Sequence, residues 1–416
     1  MVADIAIVGG GPSGLALAGM LERAGFSYIV YERSAHDIPP RGGCLDLHKG
    51  SGQVRVGPST QSIFGVLIKM QLAMEEAGCY DKFREYGRDG PFTIHQVWDH
   101  NGNRAFKWGQ GEDQPELDRE QIKQALLTTI PGEKIQWKQG VESSARNEKG
   151  EIVLTFKDGT TATGFKLVVG ADGAFSRIRH LVVSLDQGNE YQLNNLQVTP
   201  ATPTYSGIAF WTGEIHPSNT FYPTAQQKAR YGPMVVLGRG TMIWIQRQGG
   251  DHYRIELGFQ KSLEFTTDPK VNFEDTEAVK NMLLSEFYDG HAEEIKDMIR
   301  AIDSPFHPWP LHYMPPESLN WEAKQDVTLI GDAAHVTTPF IGEGVNLAMT
   351  DSIVLVRKLK EFGITKKAIE EYEKDMFPRA SDVIEKSVAA GKLYYDWDAP
   401  KSVMEANVHH SADSKA

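Results

Sequence analysis

The sequence predicts an α/β chain in which a parallel, nucleotide-binding sheet is interrupted by an inserted antiparallel β-sheet domain and followed by C-terminal helices. Three observations predict it. The first is the opening stretch IAIVGGGPSGLALAGMLERAGFSYIVYER. A four-residue apolar run, a glycine turn, a helical stretch closed by Gly25 and a second apolar run make one strand–helix–strand unit. The second is a pair of short apolar runs far downstream, in LVVGADGAFSRIR and DVTLIGDAAH. Each ends on glycine and aspartate, as strands of a parallel sheet do at their ligand-facing end. The third is the stretch between them, where GIAFWTGEI and PMVVLGRGTMIWIQRQGGDHYRIELGF alternate apolar with polar residues around GRG and GGD turn signals, as antiparallel strands do.

These segments divide the chain into a Rossmann-like domain over 1–185 and 305–360, an inserted β-rich domain over 186–304, and a C-terminal helix with a polar tail over 361–416. Apolar residues recur at helical spacing from Val345 to about Leu359 and from Lys366 to about Tyr395. The sequence contains no internal repeat, coiled-coil heptad or low-complexity linker, so the inserted domain is expected to pack against the first rather than hang from it.

At 416 residues, two cooperating domains are expected in place of a single core. Apolar residues make up 40% and charged residues 24%, an ordinary globular balance, and no apolar run reaches the roughly 18 residues of a membrane span. The formal charge of −12, from 43 basic and 55 acidic side chains, repels phosphate backbones and anionic lipid. Nucleic acid and membranes are therefore not expected as partners. Cys44 and Cys79 are the only cysteines and form no CxxC, so neither a disulfide scaffold nor a thiolate metal site is expected. With DIAIVGGG reached at once and no secretory leader before it, a cytoplasmic location is expected.

Gly9, Gly11 and Gly14 form a GxGxxG turn directly after a strand, with Pro12 and Ser13 between them at the start of a helix. The first glycine permits the turn, the second admits a pyrophosphate, and the third packs helix on strand. The helix dipole then faces the phosphates. Glu32 ends the second strand, 18 residues after Gly14, where a carboxylate accepts hydrogen bonds from a ribose diol, and Arg33 beside it is a further candidate cofactor contact. An acid at that place points to an adenosine without a 2′-phosphate, as in FAD or NAD.

Asp172 and Gly173 follow one downstream strand, with Ser176 and Arg179 beyond, and Asp332 follows the other. With GxGxxG, a DG motif and a GD motif in that order, the chain resembles the single-component flavoprotein aromatic hydroxylases, the group of para-hydroxybenzoate hydroxylase. The resemblance implies FAD as cofactor, Asp332 at its ribityl or adenosine-side linker, and Asp172 in a motif shared between FAD and nicotinamide contact. The chemistry of a long dinucleotide agrees. It needs an adenosine pocket near Glu32 and a distant isoalloxazine pocket, which the stretch from Gly331 to Asn346 can supply. Pro339, Gly342 and Gly344 let backbone approach a flat ring, and Val345 and Asn346 open a helix whose N–H groups can face the flavin N1–C2=O edge. Glu343 stands where the family has Gln, and Ala348 where it has Gly. His335, three residues after Asp332, is read as structural, since two ligands without a cluster make a poor zinc site; no metal is expected.

RGGCLDLHKGSGQ, from Arg41 to Gln53, and PELDREQIKQALL around Arg119 are similar to the tetracycline-inactivating flavin monooxygenases within that group. This narrower resemblance implies cofactor contacts from Arg41, Asp46 and Arg119. It aligns that family's tetracycline-contacting Gln, Arg and His with Thr212, Pro233 and Arg254, which differ in type. Because the related enzymes hold substrate between the flavin and the inserted sheet, the implied wall residues are Trp211, Thr212, Trp244, Arg254 and Phe340, joined by Leu393 or Tyr394. No second GxGxxG occurs, so NADPH or NADH is expected as a transient reductant. The implied reaction is hydroxylation of an aromatic or polyketide-like small molecule with O₂ through a C4a-hydroperoxyflavin. The flavin carries that chemistry, so no catalytic side chain is expected to be indispensable, and the protein is expected to be a monomer. The alternatives are a halogenase or reductase on the same fold, for which the GWxWxIP segment and a basic amphipathic helix are missing, and a non-catalytic flavin redox sensor.

Overall fold

The computed structural model describes residues 2–38, 45–46, 69–86, 94–108, 116–182, 202–229 and 232–406. Its first sheet is five-stranded and wholly parallel, in the order Val327–Leu329, Leu167–Gly170, Ile5–Val8, Tyr28–Glu32 and Ile135–Trp137. The central strand reads IAIV without alternation and is buried along its length, because both faces of a parallel sheet are covered. On one side, helix Pro12–Arg23 packs on helix Gly344–Phe362, and the Ser352 hydroxyl donates to the Ser13 carbonyl at 3.0 Å.

Ile5 lies beside Leu167, and Val168 beside Val327, so segments separated by more than a hundred residues run side by side. All strands point the same way. The turns after Val8, Gly170 and Leu329 are therefore gathered on one edge, and this gathering positions the site.

The second sheet has seven strands, in the order His307–Tyr313, Thr204–Ile215, Tyr253–Gln260, Thr241–Arg247, Met234–Gly238, His95–Asp99 and Arg104–Trp108. It is antiparallel except where Met234–Gly238 runs parallel to His95–Asp99. Two of its strands come from the stretch before residue 186 and one from beyond residue 304. Period-2 alternation gives it two distinct faces. Trp211, Ile243, Ile245, Tyr253, Ile255, Leu257 and Phe259 pack beneath the helices Thr276–Glu286 and Glu293–Arg300, a helical cover not anticipated from the β-rich sequence. The opposite face looks toward Phe340 and the C-terminal helix Lys366–Tyr394. Among the described residues, no helix is long and apolar enough to cross a membrane.

Candidate functional site

The glycine turn is built by backbone contact. Gly9 has φ +112°, and a Cβ there would sit 2.2 Å from the Ala171 carbonyl oxygen, while a Cβ on Gly14 would sit 2.1 Å from the Gly9 oxygen. Only glycine lets the first strand, the DG strand and the helix close to this distance. Glu32 braces the same turn: its Oε2 accepts from the Gly10 N–H at 2.6 Å and its Oε1 from the Ser34 N–H at 2.7 Å. Both oxygens keep lone pairs for a further donor. Gly11 differs from its neighbours. It is the N-cap of the helix in ordinary extended backbone, and a Cβ there would meet nothing within 4 Å, so the space before the helix N-terminus is open.

The DG and GD turns are locked to one another. Arg179, only 6% exposed, donates from Nε to the Ala333 carbonyl at 2.9 Å and from Nη2 to the Asp332 carbonyl at 3.2 Å. Burial lowers its pKa to about 10, which leaves it charged at neutral pH. Gly331, at φ +58°, donates its N–H to Asp351 Oδ2 at 2.8 Å. The same oxygen lies 2.6 Å from His335 Nε2, and Oδ1 accepts from Arg379 Nη1 at 2.9 Å. Burial pushes the Asp351 carboxyl up, but His335, Arg379 and the Gly331 N–H outweigh it and hold the group below the usual carboxylate range. A cation thus grips the carbonyl side of the GD turn and an anion its amide side. The Asp332 side chain is left exposed. Asp172 Oδ2 accepts from the Arg177 N–H at 2.6 Å, while Oδ1 is buried with no partner among the described residues. Burial raises its pKa, with the Ser176 hydroxyl and the Arg177 N–H partly offsetting the rise.

These turns border a cavity of about 340 Å³ that reaches from the parallel sheet to the second sheet. One wall is largely backbone: Gly11, Pro12, Ser13, Ala171 and Gly173, then Pro339, Gly342, Gly344 and Val345 at the N-terminus of helix Gly344–Phe362, with the Asp332 side chain. Arg119, first residue of helix Arg119–Leu127, stands on the rim. The other wall is side chains from the second sheet: Phe210, Met242, Trp244, Gln246, Arg254 and Glu256, closed by Phe340. A larger open hollow of about 720 Å³, between Arg239 and the stretch from Trp397 to Glu405, contains no residue of the three motifs.

Most residues singled out in the sequence converge here. Gly11, Pro12, Ser13, Arg119, Asp332, Pro339, Gly342, Gly344, Val345, Trp244, Arg254 and Phe340 line the cavity. Gly9, Gly14, Glu32 and Asp172 support its lining from behind. Asn346 is buried beneath the loop, its Nδ2 donating to the Gly342 carbonyl at 3.5 Å. Thr212 is buried too, its Oγ1 accepting from Arg254 Nη2 at 3.5 Å. Asp46 lies on a two-residue strand, Leu45–Asp46, that pairs with Glu116–Leu117 just ahead of Arg119. Arg41 lies outside the described residues.

Others are held elsewhere. Trp211 is a correction: its ring is fully buried against Phe259, Phe265 and Phe273 on the helix-covered face, because its neighbour Phe210 occupies the cavity face and adjacent strand residues point oppositely. Arg33 is exposed beside Gly140, and Pro233 precedes strand Met234–Gly238, with its carbonyl accepting from the Gln96 N–H. Leu393 and Tyr394 pack behind Phe340 and not on the lining. Phe210, Met242, Gln246 and Glu256 were missed, yet the signal existed. Met242 and Gln246 are two residues either side of Trp244, and Glu256 is two after Arg254.

The family model described as FAD binding domain matches residues 2–48 and 317–387, the segments that hold the glycine turn and the GD turn. The chain is similar in sequence to FAD-dependent monooxygenases and shares their fold. It is 26% identical to Monooxygenase penA of Penicillium thymicola over 426 residues, covering 90% of this chain and 91% of the relative. Its fold is similar to that of HpxO from Klebsiella pneumoniae, solved with FAD and uric acid, at TM-score 0.69 and 20% identity over 99% of this chain and 93% of the other. It is also similar to tetracycline destructase Tet(51), at TM-score 0.66 and 20% identity over 100% and 97% of the two chains. The residues present fit FAD: an open helix N-terminus at Gly11 for phosphates, an orphaned buried oxygen on Asp172, an exposed Asp332, and a glycine-lined helix start at Gly344.

Proposed function

We propose that this protein is an FAD-dependent monooxygenase that hydroxylates an aromatic or polyketide-like small molecule, tetracyclines among the candidates, with NADPH or NADH as transient reductant and O₂ as co-substrate. One observation supports it above the rest. A single cavity has the glycine-rich backbone of the three motif turns on one side and a mixed apolar and polar sheet face on the other. Bound FAD would accept a hydride and activate O₂. The chain's own residues hold and orient. The helix N-terminus at Gly11 and Pro12 would bind the pyrophosphate, and Asp332 would accept hydrogen bonds from the hydroxylated linker. The N-terminus of helix Gly344–Phe362 would stabilise negative charge on the reduced ring with a dipole contribution of roughly 0.3–1 kcal/mol. Phe210, Met242, Trp244 and Phe340 exclude water, and Arg254, Glu256 and Gln246 orient the substrate. No side chain on the lining is required as an acid or base.

The test is NAD(P)H oxidation by the FAD-loaded protein, with and without a panel of phenols, polyketides and tetracyclines, followed by mass analysis of product and by peroxide release. Stimulated oxidation with a product heavier by one oxygen is expected. Oxidation that only ever yields peroxide, or protein that never retains FAD, would remove the proposal.

A further inference from the structure

The sheet face that looks into the cavity is ordered in rows, since residues directly opposite one another on antiparallel strands share a face. Phe210 and Met242 flank Gly258, Thr212 and Trp244 flank Glu256, and Glu214 and Gln246 flank Arg254. Polarity rises along the wall. The apolar end is completed by Phe340, whose ring meets Phe210 edge-on at 6.3 Å between centroids. At the polar end the cation has company: Arg254 Nε donates to Glu256 Oε1 at 3.1 Å, with the two side chains 18% and 22% exposed. A guanidinium and a carboxylate set side by side offer donors and acceptors without net charge. An anionic ligand would gain Arg254 but meet Glu256 beside it, in a partly desolvated place where like charges repel strongly. The rest of the lining is balanced as well, with Arg119 against Asp332.

We infer that the substrate is a planar, uncharged ring compound whose polar edge sets a hydrogen-bond donor beside an acceptor, as a cyclic amide does, and that Glu256 selects against carboxylates. This rests on the reading of the cavity as the substrate site. The donor of the ligand meets Glu256, its carbonyl meets Arg254 or Gln246, and its apolar rings run toward Phe210 and Met242. Trp244, in the middle row, offers a face for stacking.

The test is calorimetric titration of the FAD-loaded protein with three bicyclic probes of similar size: 2-quinolone, N-methyl-2-quinolone and 2-naphthoate. The wild-type protein is expected to bind 2-quinolone roughly tenfold or more tightly than either of the others. Glu256→Gln, nearly isosteric, is expected to improve 2-naphthoate binding about tenfold and to weaken 2-quinolone by a similar factor. Equal or tighter wild-type binding of 2-naphthoate, no binding of 2-quinolone, or an unchanged ratio in a folded Glu256→Gln protein would each overturn the inference. If that variant does not fold, the three wild-type affinities decide alone. Because binding is read without turnover, the predicted preference in a protein that transfers no oxygen would remove the proposed hydroxylation and leave this inference standing. Turnover confined to carboxylate substrates would do the reverse.

Discussion

The two walls of the cavity are made by different means. On the parallel-sheet side the surface is mostly main chain, at Gly11, Ala171, Gly173, Gly342 and Gly344, whereas on the second sheet it is side chain throughout. Main-chain contact restricts the residue types allowed, because at Gly9 and Gly14 any Cβ would strike a carbonyl oxygen. A side-chain wall has no such restriction. Phe210, Trp244 or Glu256 can be exchanged while the strand pairing that holds them persists. The lesson is that such a molecule can keep its cofactor while its substrate changes, with the two requirements written in separate parts of the chain.

The contrast can be broken most severely at its rigid side. Gly14→Val should leave no folded, FAD-retaining protein, as read by circular dichroism and flavin content; a yellow, folded variant would show that the turn tolerates bulk. Next is Asp351→Ala, which strips His335, Arg379 and the Gly331 N–H of their shared buried acceptor. It should lower stability by about 3–5 kcal/mol in chemical denaturation and loosen FAD with it. A loss under about 1 kcal/mol would mean that the GD turn holds itself.

A paired substitution then separates the two faces of the second sheet. Trp211→Leu should cost about 3 kcal/mol of stability and leave ligand affinity per folded molecule unchanged, because the ring lies in the helix-covered core. Trp244→Leu should do the opposite, with under about 1 kcal/mol lost but ligand affinity reduced. Exchange of these two outcomes would reverse the assignment of faces. A smaller difference appears in the response to pH. Glu373, buried behind the strand Val327–Leu329 with Oε1 accepting from the Thr328 hydroxyl at 2.8 Å, is pushed up to about 7 by burial. A carboxyl whose pKa is raised on folding is protonated in the folded chain while already ionised in the unfolded one. Its contribution is therefore present at pH 4.5 and below and is lost as pH rises to 7. Glu373→Gln should thus gain on the wild type between pH 5 and pH 8, by up to about 3 kcal/mol in denaturant melts. A difference that does not change with pH would place the proton elsewhere.

The same contrast explains what was legible in the sequence. GxGxxG, the DG turn and the GD turn were readable because close backbone approach admits few residue types, and all three lie on one sheet edge as expected. The bracing roles were not readable. Nothing local says that Glu32 accepts from Gly10, that Arg179 grips the carbonyls of Asp332 and Ala333, or that Asp351 takes the Gly331 N–H, since each joins residues far apart in the chain. On the second sheet, alternation was visible but its parity was not. The sequence points to Trp211 and Thr212 alike as wall residues, yet neighbours on a strand face opposite ways, and the strand's cavity ring is Phe210. The strands His95–Asp99 and Arg104–Trp108 are not legible as members of that sheet, because the hairpin they form joins it only through the long-range pairing of His95–Asp99 with Met234–Gly238.

The central claim is that the open space before the first helix is filled by FAD, and Gly11 tests it most directly. Its backbone suits any residue, and a Cβ there meets no protein atom within 4 Å. Gly11→Leu should therefore leave the apoprotein within about 0.5 kcal/mol of wild-type stability. Titration of that apoprotein with FAD, followed by quenching of flavin fluorescence, should show affinity weaker by roughly 100-fold or more, since the side chain takes the place of the pyrophosphate at the helix N-terminus. Unchanged FAD affinity in the stable variant would contradict the account.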